Sequence, residues 1–225
     1  MVKGAQASSS SKYHVPALEK GLDILELLSD LAVPQTQADI ARALGRNTSE
    51  VFRMLDCLEQ RGYLLRGSAN QYQLSLKLYQ LAHTHSPVEK LLEAARDPMR
   101  ELAQILRESV HLSILHNQQL LVLAEELSPN PIRLSVEVGK SFPALETASG
   151  RLLLAHLNEN ALKHFLSNNE HYLDSSKSTQ KKVRQQLEQT RQNTFLIAES
   201  NITVGVKDIS VLIAPTDSDI NASLT

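Results

Sequence analysis

Apolar positions along the chain repeat at helical spacing from residue 15 to about residue 60, and at strand spacing in several later stretches. In "VPALEKGLDILELLSD" (15–30), Leu18, Leu22, Leu25 and Leu28 recur at intervals of three and four. That spacing predicts one helix with a single apolar stripe. "TQADIARALG" (36–45) predicts a second helix that buries Ile40, Ala41 and Leu44 and stops at Gly45. A third helix is predicted over 48–61, capped by Asn47, with Glu50 placed to complete a capping box. At about 100° per residue, Val51, Met54, Leu55 and Leu58 share one face of it. Ser49, Phe52, Arg53 and Asp56 share the other, and Gly62 ends it. "YLLRGSANQYQLS" then reads as two short strands about a turn.

The order helix, helix, turn, helix, hairpin is that of a winged helix-turn-helix. In that arrangement the second helix of the pair enters the major groove of DNA. "LSLKLYQLAH" continues as a helix, and a domain boundary is predicted near Ser86. A long helix follows from Pro87, interrupted at Pro98. Beyond Val110, "HLSILHNQQLLVLAEEL" predicts two strands joined at Asn117-Gln118-Gln119, and "PIRLSVEV" predicts a third. Helices are predicted after Ser149 or Gly150, in "NENALKHFLSN" and in "STQKKVRQQLEQTRQN", and strands return in "FLIAES" and "DISVLIAP". Strands, helices and strands again indicate an α+β class.

Composition narrows the function. The chain carries a net charge of −2, which excludes a uniformly basic nucleic-acid coat. Between Arg42 and Lys77, however, six basic residues stand against three acidic ones. Phosphate contact is most plausible there. The single cysteine, Cys57, allows no internal disulfide, and it sits beside the apolar face of its helix as a small packing residue. No apolar run is long enough to span a bilayer as a helix. A cytoplasmic protein with a mobile tail over residues 1–14 is expected. No spacing of His, Cys, Asp or Glu predicts a metal, and no phosphate loop or dinucleotide fingerprint predicts a cofactor.

"ALEKGLDILELL", "ADIARALGRNTSEVFRMLDCLEQRGYL" and "YQLSLKLYQLA" resemble the DNA-binding half of the IclR family of bacterial transcription regulators. "VGKSFPALETASGRLLLAHL" and "VGVKDISVLI" resemble two landmarks of that family's effector domain. The resemblance implies a winged helix-turn-helix over 15–86 and a GAF-like α/β effector domain over 87–225. It also implies a homodimer or homotetramer that binds double-stranded operator DNA and a small-molecule effector. Thr48, Ser49, Phe52 and Arg53 would face the groove, with Arg46 and Arg66 as further DNA contacts, and Glu50 would cap its helix. The effector pocket would be formed by Ala148, Ser149, Glu199 or its neighbour Ala198, Asp208 and Thr225, with Leu134, Phe142 and Val206 as apolar walls. A carboxylate at Asp208 points to a hydroxylated ligand, such as a sugar acid or hydroxylated aromatic acid. Family chains continue beyond the position of Thr225 with the rest of a strand and a helix, so a weakened pocket is also expected.

Two other classes remain open on the residues alone. Ser149 with His156 or His164 could be a nucleophile and base, although the G-x-S-x-G elbow is missing. The winged helix could also serve protein contacts alone.

Overall fold

A computed structural model describes residues 14–84, 88–214 and 220–225; the expected tail therefore lies almost wholly outside the described residues. The chain forms two units, Met1–Ser86 and Pro87–Thr225.

In the first unit the leucine stripe divides in two. Helix α1 (Pro16–Leu31) buries Ile24, Leu25 and Leu28, while Leu18 is 60% exposed and Leu22 47% exposed. A two-residue strand β1 (Gln35–Thr36) leads into α2 (Gln37–Ala43). The Thr36 side chain caps α2 by accepting from the Asp39 N–H, and its hydroxyl donates to Asp39 Oδ2 at 2.6 Å. That hydroxyl bond holds the Asp39 carboxyl below its ordinary range. Gly45, at φ +61°, makes the left-handed turn between α2 and α3 (Thr48–Gln60). Asn47 Oδ1 accepts from the Glu50 N–H at 2.8 Å, so the predicted cap is made. The expected capping box is not. Glu50 pairs with Lys20 of α1 at 3.2 Å, because an opposite charge lies within reach.

Strands β2 (Leu64–Arg66) and β3 (Gln71–Leu74) form the hairpin, and β1 adds to it in the order β1-β3-β2. Ile24, Leu28, Ile40, Val51, Leu55 and Tyr72 meet in the core beneath. Helix α4 (Lys77–Thr84) follows.

In the second unit α5 (Glu89–Leu106) runs through Pro98 without a break. Pro98 cannot donate to the Ala94 carbonyl, but both residues lie on the exposed side, where water can take the freed oxygen. Strands β4 (Val110–His116) and β5 (Gln119–Glu126) meet at Asn117 and Gln118, both at positive φ, the geometry of a tight hairpin. The predicted strand "PIRLSVEV" is absent: residues 131–138 form a loop. Side chains hold that loop where ladder bonds were expected. Glu125 accepts from the Val136 N–H at 2.6 Å, and the Ser109 hydroxyl donates to the Leu134 carbonyl at 2.5 Å.

Strand β6 (Ser141–Pro143) precedes α6 (Ala148–Ala155), α7 (Glu159–Ser167), α8 (Glu170–Asp174) and α9 (Lys177–Arg191). Strands β7 (Phe195–Glu199), β8 (Lys207–Ile213) and β9 (Ala222–Leu224) complete an antiparallel sheet in the order β6-β5-β4-β9-β8-β7. Helix α5 packs on the face that carries Val110, Leu112 and Ile114. Helix α6 crosses the opposite face. No helix among the described residues is long and apolar enough to cross a membrane.

Candidate functional site

The two units each present one candidate site. In the first it is the outer face of α3. Val51 and Leu55 are buried, and the residues on the other side of the helix, Ser49, Phe52, Arg53 and Asp56, are all exposed. Phe52 is 48% exposed, so it is not tucked beneath the hairpin. Thr48 is also exposed at the first turn, and its carbonyl accepts from Gln37 at 2.9 Å, which ties α2 to the start of α3. Arg66 stands at the exposed hairpin, held by Asn70 at 3.0 Å and lying over the Tyr72 ring at 5.6 Å.

Two expectations change here. Arg46 pairs with Asp23 of α1 at 2.5 Å and is half-buried, so this guanidinium is engaged within the fold. Cys57 is exposed and does not pack in the core. Its position beside the apolar stripe is one step too far round the helix.

In the second unit the sheet face beneath α6 is polar where a core would be apolar. Cross-strand register places Ser113 of β4, Ser223 of β9 and Ser210 of β8 on this face, each 0% exposed. The Thr225 hydroxyl donates to Ser210 Oγ at 2.8 Å, and Thr225 exchanges backbone bonds with His111 at 2.9 and 3.0 Å. Ser113 Oγ is buried without a partner. A buried hydroxyl in that state is costly unless something else satisfies it.

Above this face, Thr147 caps α6 by accepting from the Gly150 N–H at 3.0 Å. The N–H groups of Ala148 and Ser149 in the first turn make no such bond and remain available. Ser149 is 3% exposed. A Cβ at Gly150 would overlap the Ala144 carbonyl and the Thr147 hydroxyl, so glycine permits this close approach of loop and helix. Asp208 acts electrostatically on both His111 and Arg151. Burial pushes the His111 pKa down, and the Asp208 and Glu125 carboxylates oppose that shift.

Ala148 and Ser149 thus open the helix that packs on the sheet face carrying Asp208 and Thr225. Phe142, opposite Leu120 on edge strand β6, and the half-buried Val206, two residues before Asp208, lie at its margins. Leu134 stands 56% exposed on the loop over residues 131–138. Glu199 faces away from Asp208. Its register partner is Lys207, with which it pairs at 3.3 Å, whereas Ala198 is the residue opposite Asp208. Strand alternation puts Ala198 on the same face as Asp208 and Glu199 on the other.

His111 and Ser113, on the same face as Ser223, were not among the expected residues. The polar pair His111 and Ser113, two apart in "HLS", is the signal that could have found them. Ser149 in α6 and His156, which caps the end of that helix, are seven residues apart, about 10 Å along the axis, too far for a nucleophile and its base. Among the described residues, no group of three or more His, Cys, Asp or Glu is placed to hold a metal.

The signature described as "Bacterial transcriptional regulator IclR C-terminal" matches residues 84–225, and that of the "IclR helix-turn-helix domain" matches residues 17–67. The chain belongs to the IclR family.

Within the IclR family, the Streptomyces coelicolor glycerol operon regulatory protein is 31% identical over 144 residues, 64% of this chain and 57% of that protein. The match thus spans little more than half of that relative's length. The Escherichia coli HTH-type transcriptional regulator XynR is 22% identical over 214 residues, 94% of this chain and 85% of XynR. The fold is that of an IclR homolog from Microbacterium hydrocarbonoxydans, solved in complex with 4-hydroxybenzoate. The two superpose with a TM-score of 0.75 at 23% identity, over 93% of this chain and 88% of that one.

Proposed function

We propose that this IclR-family chain is a cytoplasmic, homo-oligomeric regulator that binds operator DNA through α3 and responds to a small hydroxylated organic acid. The carrying observation is the outer face of α3. Ser49, Phe52 and Arg53 are exposed together on a capped helix whose other side is core, which is the presentation a major groove requires. Arg66 on the hairpin supplies a cation for the flanking phosphates. The exposed part of the leucine stripe, Leu18 and Leu22 on α1, together with Leu78, Tyr79 and Leu81 on α4, offers apolar surface for a second copy. A dimer would set the spacing of two operator half-sites.

The effector reading rests on complementary groups beneath α6. Free N–H groups at a helix start favour a carboxylate or another electron-rich group. The Asp208 carboxylate accepts hydrogen bonds from hydroxyls. The neighbour's ligand, 4-hydroxybenzoate, has both kinds of group. A ligand shifts the DNA-binding equilibrium only by its different affinity for the two states.

Selection of bound sequences from random duplex DNA tests the DNA reading: an enriched palindrome or repeat is expected, and its absence would overturn it. For the effector site, Ser149→Thr should weaken the metabolite response and leave operator affinity unchanged. An undiminished response would remove Ser149 from the site.

A further inference from the structure

A recess lies in the effector unit, bounded by α6 and the loop before it, α9 and β7, with a volume of about 610 Å³. That is within the usual range for small-molecule sites. Leu187 and Leu196 form apolar floor, and Gln186, Gln189, Asn193 and Asn201 bring four neutral carboxamides to its walls. Arg151 is the one cation among the residues lining it, and none of them carries a carboxylate.

Arg151 is half-buried, and its guanidinium makes no hydrogen bond or ion pair among the described residues. Asp208 acts on it from beyond ion-pairing distance. Taking a guanidinium partly out of water without a partner is unfavourable, and its planar fork of donors is matched by a carboxylate. Asn201 donates through Nδ2 to the Glu146 carbonyl at 3.1 Å, which fixes its amide and leaves Oδ1 free to accept.

We infer that this recess is a second small-molecule site, which takes a hydroxylated monocarboxylate with its acid group on Arg151 and its hydroxyls on the surrounding carboxamides. One cation matches one negative charge; a second charge would face only neutral amides. Carboxamides both donate and accept, as hydroxyls do. The recess opens on the α9 side of α6, whereas the proposed effector site lies at the Ala148 and Ser149 N–H groups and Asp208. Ala198, the strand partner of Asp208, marks the border between them.

Titration of the full-length, isotopically labelled chain with gluconate, followed by amide chemical shifts, tests this. Saturating shifts are expected at Asn193, Ala198 and Asn201, with none from sorbitol at equal concentration. Arg151→Gln should weaken binding at least tenfold. Asn193→Trp, at an exposed position, should fill the recess and abolish the shifts without disturbing the core. Shifts confined to Ala148, Ser149 and Thr225 would place the acid in the pocket under α6, which overturns the inference and leaves the proposed function standing. No shift through the millimolar range, or shifts that survive both substitutions, would also overturn it.

Discussion

The two units place their polar groups on opposite sides of their cores. In the first, apolar side chains face inward all along α3, and Ser49, Phe52 and Arg53 stand outside. In the second, Ser113, Ser210 and Ser223 lie fully buried under α6, with Asp208, His111 and Thr225 beside them. A site on an outer surface is separable from stability. A site inside a sheet-and-helix sandwich is not, because its polar groups are satisfied partly by one another and partly by what they bind.

Substitutions can break this contrast, and the largest effect belongs to the interior. Gly150→Ala drives a methyl group into the Ala144 carbonyl and the Thr147 hydroxyl, and should destabilise the effector unit by about 3 kcal/mol, the upper end for overpacking. Hydrogen exchange should show lost protection in α6 through α9 and none in α1 through α3. Next comes Arg53→Ala, which should weaken operator binding by about 1–3 kcal/mol in a titration, with an unchanged melting curve. Asn47→Ala removes the cap of α3 and should cost about 1 kcal/mol in the first unit alone, read by denaturant unfolding.

The smallest effect is one of pH. Burial lowers the pKa of His111 below its ordinary 6.5 in the folded chain, so the unfolded chain takes up the proton first as pH falls. Stability contributed by neutral His111 is therefore fully present above about pH 6.5 and is lost as pH falls through the folded value. His111→Gln should flatten that part of the effector unit's stability profile. A profile that keeps its slope would show that another group is responsible.

Local signals in the sequence carry the first unit almost entirely. Asn47, Gly45 and Gly62 sit where the caps and turns are, and helical periodicity separates Val51 and Leu55 from Ser49 and Arg53. What periodicity could not separate was buried from merely apolar. Leu18 and Leu22 continue the stripe of Leu25 and Leu28 but lie outside the core.

The second unit hides more, because its chemistry depends on pairing between distant strands. Residues 131–138 alternate as a strand does, yet Glu125 and Ser109 hold them as a loop. Glu199 and Ala198 are adjacent in sequence, and only the register with β8 decides which one faces Asp208. The charge on Arg46 was visible, but its partner Asp23, on another helix, was not.

Photo-cross-linking to a selected operator duplex tests most directly whether the outer surface of α3 meets DNA. A photoreactive group at Ser49 should attach to a base in the major groove, while the same group at Gln60, at the far end of the helix, should attach rarely or only to the backbone. Equal labelling from both positions, or none from Ser49 on a duplex the protein demonstrably binds, would contradict it.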